Sequence, residues 1–428
     1  MSKAVDRVNT TPGAALPPAA LQYDVLVLDA RLRQSLVTVR SLGRRGLRVA
    51  ALESSDHAPG FSSRWCRYKA VCPAEEGTPE YLEYLEQVLT RTGARVLITS
   101  SDGTIDLLRR HRAQLASRVH IALAEEPALG IAINKERTLA IAERLGIAIP
   151  RGVTVRAAGE VEAALREIGL PAVVKPIESW VRGEERSIRF APQLVTTPDE
   201  ARRAIEEQTG LGSAILFQQF LSGRREGLHL FYARGAMYAC FAQWTCRSDP
   251  PLGGTSVLRQ SIPIPYDTGE QAERLVREID LQGYCEVEFR RDGSGRPYLM
   301  EINPRLSDSI ELAVRAGVDF PYLIYQWAGG EPIERVQGYR TGEWMRFLAG
   351  DFSTTVASIL QRGRPGVPPP TRAILDFCTS FFVPMRYDYL DWHDPLPALT
   401  ATAGFARLLA RRVGSSLFSN AKSQNKER

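Results

Sequence analysis

From Tyr23 onward, short apolar runs alternate with longer stretches in which apolar residues recur every three or four positions. Residues 23–29 read as a buried strand, the material through Gly43 as a helix and residues 47–52 as a second strand, a βαβ opening. A helix over 79–90, a strand over 95–99, another helix and a strand over 119–123 continue the alternation. Near-continuous apolar strands separated by helices predict a parallel sheet covered on both faces. Ligands sit at the carboxyl ends of such strands, so Asp102, just past its strand, is a candidate substrate contact as well as a candidate helix cap. No GxGxxG follows the first strand; Asp29-Ala-Arg-Leu-Arg33 stands there, which disfavours a dinucleotide oxidoreductase.

The pattern changes after residue 130. A helix over 134–145, closed by Gly146 and Pro150, carries Lys135 in its first turn, where the helix dipole disfavours a cation unless an external anion answers it. Residues 171–176 form a short apolar strand bearing Lys175, and a buried lysine needs an anionic partner such as a phosphate. Strands over 214–223, 227–233 and 237–244 suggest a small antiparallel sheet flanking a cleft. Residues 247–256 are too rich in Pro and Gly for regular structure, and present Arg247, with Arg259 beyond, to any anion they cover.

Residues 283–305 then read as a β-hairpin with acids on both strands. Alternation puts Glu286 and Glu288 on one face and Val287 and Phe289 on the other; Asp292-Gly-Ser-Gly295 supplies the turn. Glu288 and Glu301 can therefore meet across the hairpin, and with Asn303 they offer the hard oxygens that Mg²⁺ shares with phosphates. A solvated acidic face is the competing reading of the spacing alone.

Bulk composition narrows the class. At 428 residues, 44% hydrophobic and 24% charged, the chain is an ordinary globular protein of two or three domains. A net charge of +5 spread without a basic-aromatic stripe argues against nucleic acid and for a small polyanion. Six cysteines without CxxC spacing signal neither structural zinc nor a disulfide scaffold, as expected of reduced thiols in a cytoplasmic chain. The first twenty residues lack a signal-peptide core, and no apolar run approaches a transmembrane span.

In their order, Lys135, the strand ending in Lys175, Gln218-Gln-Phe-Leu-Ser-Gly223, the Glu288/Glu301 hairpin and Glu301-Ile-Asn-Pro-Arg305 resemble the ATP-grasp superfamily of ligases, over roughly residues 20–335. The resemblance implies an α/β architecture: a flexible leader (1–20), an N-terminal parallel-sheet, pre-ATP-grasp domain (21–130), a two-lobed α+β ATP-grasp domain (131–335) with a mobile lobe at about 150–215, a C-terminal extension (336–414) and a disordered tail (415–428). It further implies that Lys135 and Lys175 hold ATP phosphates and that Gln218, Gln219, Phe220 and Leu221 frame the adenine. Glu226 would accept from the ribose. Glu288, Glu301 and Asn303 would carry one or two Mg²⁺ ions, for which Mn²⁺ can substitute. Arg305, with Lys175, would stabilise charge during catalysis, and Asp102, Arg247 and Arg259 are candidates for the substrate.

Two departures stand out. Gln219 stands where many members have glutamate, and the loop after Lys175 has one glycine in place of a glycine-rich lid, leaving Arg182 or Arg186 to supply the phosphate contact. Residues 250–257 and Asp394-Pro-Leu-Pro397 look like the branch of predicted carboligases related to biotin carboxylase and carbamoyl-phosphate synthase, which includes a D-aspartate ligase. The activity implied is ATP-dependent joining of a small-molecule carboxylate to an amine through an acylphosphate. A bicarbonate-using carboxylase or carbamoyl-phosphate-type enzyme and a non-catalytic ATP-binding regulator are the alternatives, and a homodimer is the family expectation. In the extension, residues 403–413 form a basic amphipathic helix; packing with a solvated face is its simpler reading, contact with a membrane surface or partner the other.

Overall fold

The computed structural model describes residues 4–6, 22–181, 188–210, 212–251 and 253–408. Arg182, Arg186, the last part of the 403–413 helix and the 415–428 tail lie outside the described residues.

The apolar runs of the N-terminal region form a six-stranded sheet. Its strands are β1 (Ala4–Asp6), β2 (Val25–Val27), β3 (Val49–Glu53), β4 (Cys66–Val71), β5 (Val96–Ile98) and β6 (His120–Ile121), ordered β1-β4-β3-β2-β5-β6 and all parallel. β2, β3 and β5 are buried along their whole length because helices cover both faces. Ala4–Asp6 pairs with β4, so part of the expected flexible leader is an edge strand.

A smaller lobe follows, in which β7 (Gly152–Val155), β8 (Ala172–Pro176), β11 (Gln193–Val195) and β12 (Ile215–Gln219) build an antiparallel sheet ordered β11-β8-β12-β7. Between β8 and β11, β9 (Trp180–Val181) and β10 (Ile188–Arg189) pair as a short ribbon. Val155, Val174, Phe217, Ala201 and Ile205 give the lobe its own core. It coincides with the expected 150–215 segment.

The largest sheet has seven strands: β13 (Arg225–Ala233), β14 (Ala236–Asp249), β15 (Thr255–Ile262), β16 (Gly283–Arg291), β17 (Pro297–Asn303), β18 (Trp344–Arg346) and β19 (Arg386–Tyr387), ordered β17-β16-β13-β14-β15-β18-β19. One expectation is corrected here. Residues 247–249 and 255–256, read as irregular, continue the β14–β15 hairpin, leaving a tight turn at 250–254. The C-terminal extension packs back on the body, where β18 and β19 complete the central sheet. No helix among the described residues is long and apolar enough to cross a membrane.

Candidate active site

The acid-bearing hairpin forms in the register that alternation predicts. Glu288 lies directly opposite Glu301, and Glu286 opposite Asn303. Simple alternation along β17 would have put Leu299 on the same face as Glu301. A bulge inserts Met300, so that Leu299 pairs with buried Phe289 while Glu301 pairs with Glu288. One extra residue lets a core face and an acid face share a strand.

The same face of β13 carries Arg225 and Gly227, opposite Arg290 and Glu288. A Cβ at Gly227 would come within 2.8 Å of Glu286 Oε1, so only glycine leaves that carboxylate its place. Glu286 is buried beside Glu288, and the two effects, burial first, push its pKa up to about 8. Arg225 binds Glu288 with Nε 2.9 Å from Oε2 and Nη2 3.0 Å from Oε1, and Asn303 Nδ2 donates to Glu288 Oε1 at 3.3 Å. Arg225 Nη1 also donates to the Gly254 carbonyl at 2.5 Å, tying the Pro/Gly turn to the acids.

Two lysines approach from other elements. Lys135 opens the helix Lys135–Arg144 behind its cap Asn134, and its Nζ lies 3.6 Å from Glu301 Oε2 and donates to Ser179 Oγ at 3.2 Å. Burial alone would raise the Glu301 pKa, but Lys135 and then Lys175 outweigh it and hold the carboxyl below its ordinary value. On β8, Ala172 and Val174 enter the lobe core, which places Val173 and Lys175 on the opposite face. Lys175 pairs with Leu216 of β12, and Val173 with Gln218, so Lys175 and Gln218 are diagonal neighbours on that face. Lys175 is 5% exposed and makes no hydrogen bond or close ion pair among the described residues. Burial lowers its pKa to about 8 against the pull of Glu301. Both amide atoms of fully buried Gln218 are also without partners.

These orphaned groups test the fit to nucleotide and metal. A buried lysine and a buried amide, both unpartnered, match a phosphate and a base edge. Two facing carboxylates and an amide match Mg²⁺, which needs few protein oxygens when phosphates supply the rest. No cage of three or more His, Cys, Asp or Glu side chains exists among the described residues, which suits an ion shared with a ligand.

Other candidates are paired with neighbouring side chains. Glu226 points to the opposite face of the sheet from Glu288, and Arg291 grips it at 2.8 and 3.0 Å. Arg247 is held bidentate by Asp351 at 2.6 and 2.7 Å, and Arg259, fully buried, by Asp388. Asp102 is the first residue of the helix Asp102–Arg110, whose cap is Ser101. It joins Arg305 (Nε to Oδ1 2.5 Å, Nη2 to Oδ2 3.3 Å), so two residues expected to touch the substrate latch the N-terminal domain to the hairpin. In the hinge, the Gln219 and Phe220 amides are taken by the Arg151 and Pro171 carbonyls, and the Leu221 carbonyl by Arg290. This leaves the Leu221 N–H as the free hinge donor among the described residues.

Asp29, Arg225 and Arg290 were missed. Asp29 lies two residues past β2 with φ +60°, and its Oδ2 accepts from Thr99 Oγ1, Ser100 N and Thr104 Oγ1 at 2.9–3.0 Å. Burial and then Glu76 raise its pKa to about 7. The strand-end rule that singled out Asp102 applies equally to Asp29. Glu53 and Glu76, bridged by Arg31, complete an acidic group at the carboxyl ends of the parallel strands. It joins the cleft through Trp180, which packs over Gly103 and lines one pocket with Lys135, Glu301 and Asn303.

Comparisons with known proteins give relatives of the same fold and sequence pattern. A family model described as ATP-grasp in the biosynthetic pathway with Ter operon matches residues 258–346, which include both acid-bearing strands. Over 235 residues the chain is 27% identical to the carbamoyl phosphate synthase large chain of Methanoculleus marisnigri, covering 51% of this chain and 20% of that one. It is 26% identical over 225 residues to the D-alanine–D-alanine ligase of Methylococcus capsulatus, covering 46% and 66%. The chain thus spans about a fifth of the first relative and just under two thirds of the second. A biotin carboxylase from Campylobacter jejuni, solved as a β-γ-ATP complex, superposes with a TM-score of 0.58 at 13% identity over 76% of this chain and 74% of that one, a likeness of fold. Fold, family match and sequence relatives thus agree that this chain is similar to ATP-grasp ligases.

Proposed function

We propose that the protein is an ATP-dependent carboxylate–amine ligase that works through an acylphosphate. The observation that carries this reading is the Glu288/Glu301 register with Asn303 on the same face, met by Lys135 and Lys175 from outside the hairpin. Glu288, Glu301 and Asn303 would hold Mg²⁺, which when bound neutralises phosphate charge. Lys175 and Lys135 would take the phosphates, and Gln218 and the Leu221 N–H the adenine edge. A substrate carboxylate oxygen then attacks the γ-phosphorus as the bond to ADP breaks; the amine attacks the resulting acyl carbon, loses its proton and expels phosphate. Such a transfer requires positioning and charge neutralisation more than covalent help from the protein. The amine would approach from the N-terminal side, where Asp29, Glu53 and Glu76 offer negative charge to an ammonium group.

The similarity to carbamoyl phosphate synthase keeps bicarbonate as the alternative carboxylate. Both readings share the activation step and differ in the acid. ADP release across a panel of carboxylates, with hydroxylamine trapping acylphosphate as hydroxamate, separates them. An organic acid should elicit hydroxamate, and turnover with bicarbonate alone would favour the alternative. Glu301→Gln should cut turnover roughly 10²–10³-fold while the chain stays folded; full activity in that variant would sink the metal role.

A further inference from the structure

The C-terminal extension has its polarity turned inside out. Its acids point inward: Asp351 pairs with Arg247 and Arg346, Asp388 with Arg33 and Arg259, Asp391 with Arg44 and Arg315, and Asp394 with Arg40. All four are at most 4% exposed. Its apolar side chains point outward. Of sixteen large apolar side chains left exposed among the described residues, fourteen lie between Leu348 and Leu408. Singly exposed apolar residues are ordinary, but this concentration in one seventh of the chain marks an interaction surface.

The exposed residues are contiguous. Leu348, Phe352, Val356 and Leu360 recur every four residues along the helix Leu348–Leu360, forming one solvent-facing stripe. The Phe352 ring meets Phe377 of the next helix and Phe405 of the 396–408 helix at centroid distances of 6.3 and 6.5 Å. Phe382 and Trp392, 87% and 85% exposed, project furthest.

The exposed charge around them is positive. Arg362, Arg372, Arg386 and Arg407 are all exposed; against them stand Asp376, bonded to Arg372, and half-buried Glu343, 3.9 Å from Arg386. Beyond residue 408 the sequence adds Arg411, Arg412, Lys422, Lys426 and Arg428 against Glu427 alone. A second copy of the chain would bring the same cations face to face in a two-fold contact, which is unfavourable. An anionic bilayer surface takes both features, because its headgroups attract arginine and its acyl boundary accepts aromatic and aliphatic side chains.

We propose that the C-terminal extension docks the enzyme peripherally on an anionic phospholipid surface, with Phe382 and Trp392 inserted and the four arginines on the headgroups. The full chain is mixed with phosphatidylcholine vesicles, with and without phosphatidylglycerol, and bound protein is separated by flotation. Binding is expected only with phosphatidylglycerol, and should weaken as salt is raised. Phe382→Ser/Trp392→Ser should lower vesicle affinity by more than tenfold, and each of Arg372→Gln, Arg386→Gln and Arg407→Gln by about fivefold. Thermal unfolding and nucleotide binding should remain unchanged, since none of these side chains lies in the core or cleft. Failure of the wild-type chain to float with phosphatidylglycerol overturns the proposal, as does equal flotation of the double variant. So does a solution dimer, measured by light scattering, that the double variant dissolves while neither protein binds vesicles.

Discussion

Two sets of ion pairs in this molecule use the same side chains to opposite ends. In the cleft, Glu288 meets Arg225 and Glu301 meets Lys135, while Lys175 lacks a close partner and Glu286 resists ionisation. Between the body and the C-terminal extension, Arg259 with Asp388 and Arg40 with Asp394 are nearly sealed from solvent, and Asp394 also accepts from Ser63 Oγ while its carbonyl accepts from Arg40. The first set is incompletely compensated and can exchange partners when phosphates and a metal arrive. The second is compensated in charge, each buried guanidinium facing a carboxylate, and holds β19 and the following residues against the N-terminal domain. Arginine beside a carboxylate is therefore no guide to function by itself; what distinguishes the cleft is the charge left over.

The largest effect should come from breaking a lock. Asp388→Ala strands Arg259 in the interior and leaves Arg33 to Asp308 alone, and should cost about 3–5 kcal/mol of stability in chemical denaturation. An unchanged midpoint would place that pair with the dispensable contacts. A smaller effect tests the cleft: MgATP affinity should fall as pH rises through about 8, approaching tenfold per unit, because Lys175 then loses the proton that makes it a phosphate ligand. Lys175→Arg should remove that inflection, and a pH-independent wild-type affinity would take the phosphates away from Lys175. Smallest is a slope in stability. Glu286 holds its proton more tightly folded than unfolded, so the folded chain binds more protons between the ordinary glutamate range and about pH 8, and stability should decline as pH rises across that window. Glu286→Gln should flatten the decline; an identical slope in the variant would assign it to other groups, Asp29 first.

Much of the site was legible in the sequence because its signals are local. Period-two alternation placed Glu288 opposite Glu301, and a lysine at a helix start or within an apolar strand announced an unusual cation. The ion pairs of Arg247, Arg259 and Glu226 were not legible, because each is answered by a carboxylate or guanidinium 65 or more residues away in sequence. No local pattern reveals such a partner. Arg225 was missed for the same reason, since its target, Glu288, lies 63 residues downstream.

By itself the sequence determined the alternation of strands and helices, the acid face of the hairpin and the order of the two buried lysines, since these follow from periodicity and burial cost within short segments. Tertiary structure alone decided which charges remain free. It inserted the Met300 bulge that turns Glu301 toward Glu288, neutralised Arg259 with Asp388, and latched Arg305 to Asp102. Compensation of a buried charge depends on what folding brings within a few ångströms, and that distance is not written in sequence separation.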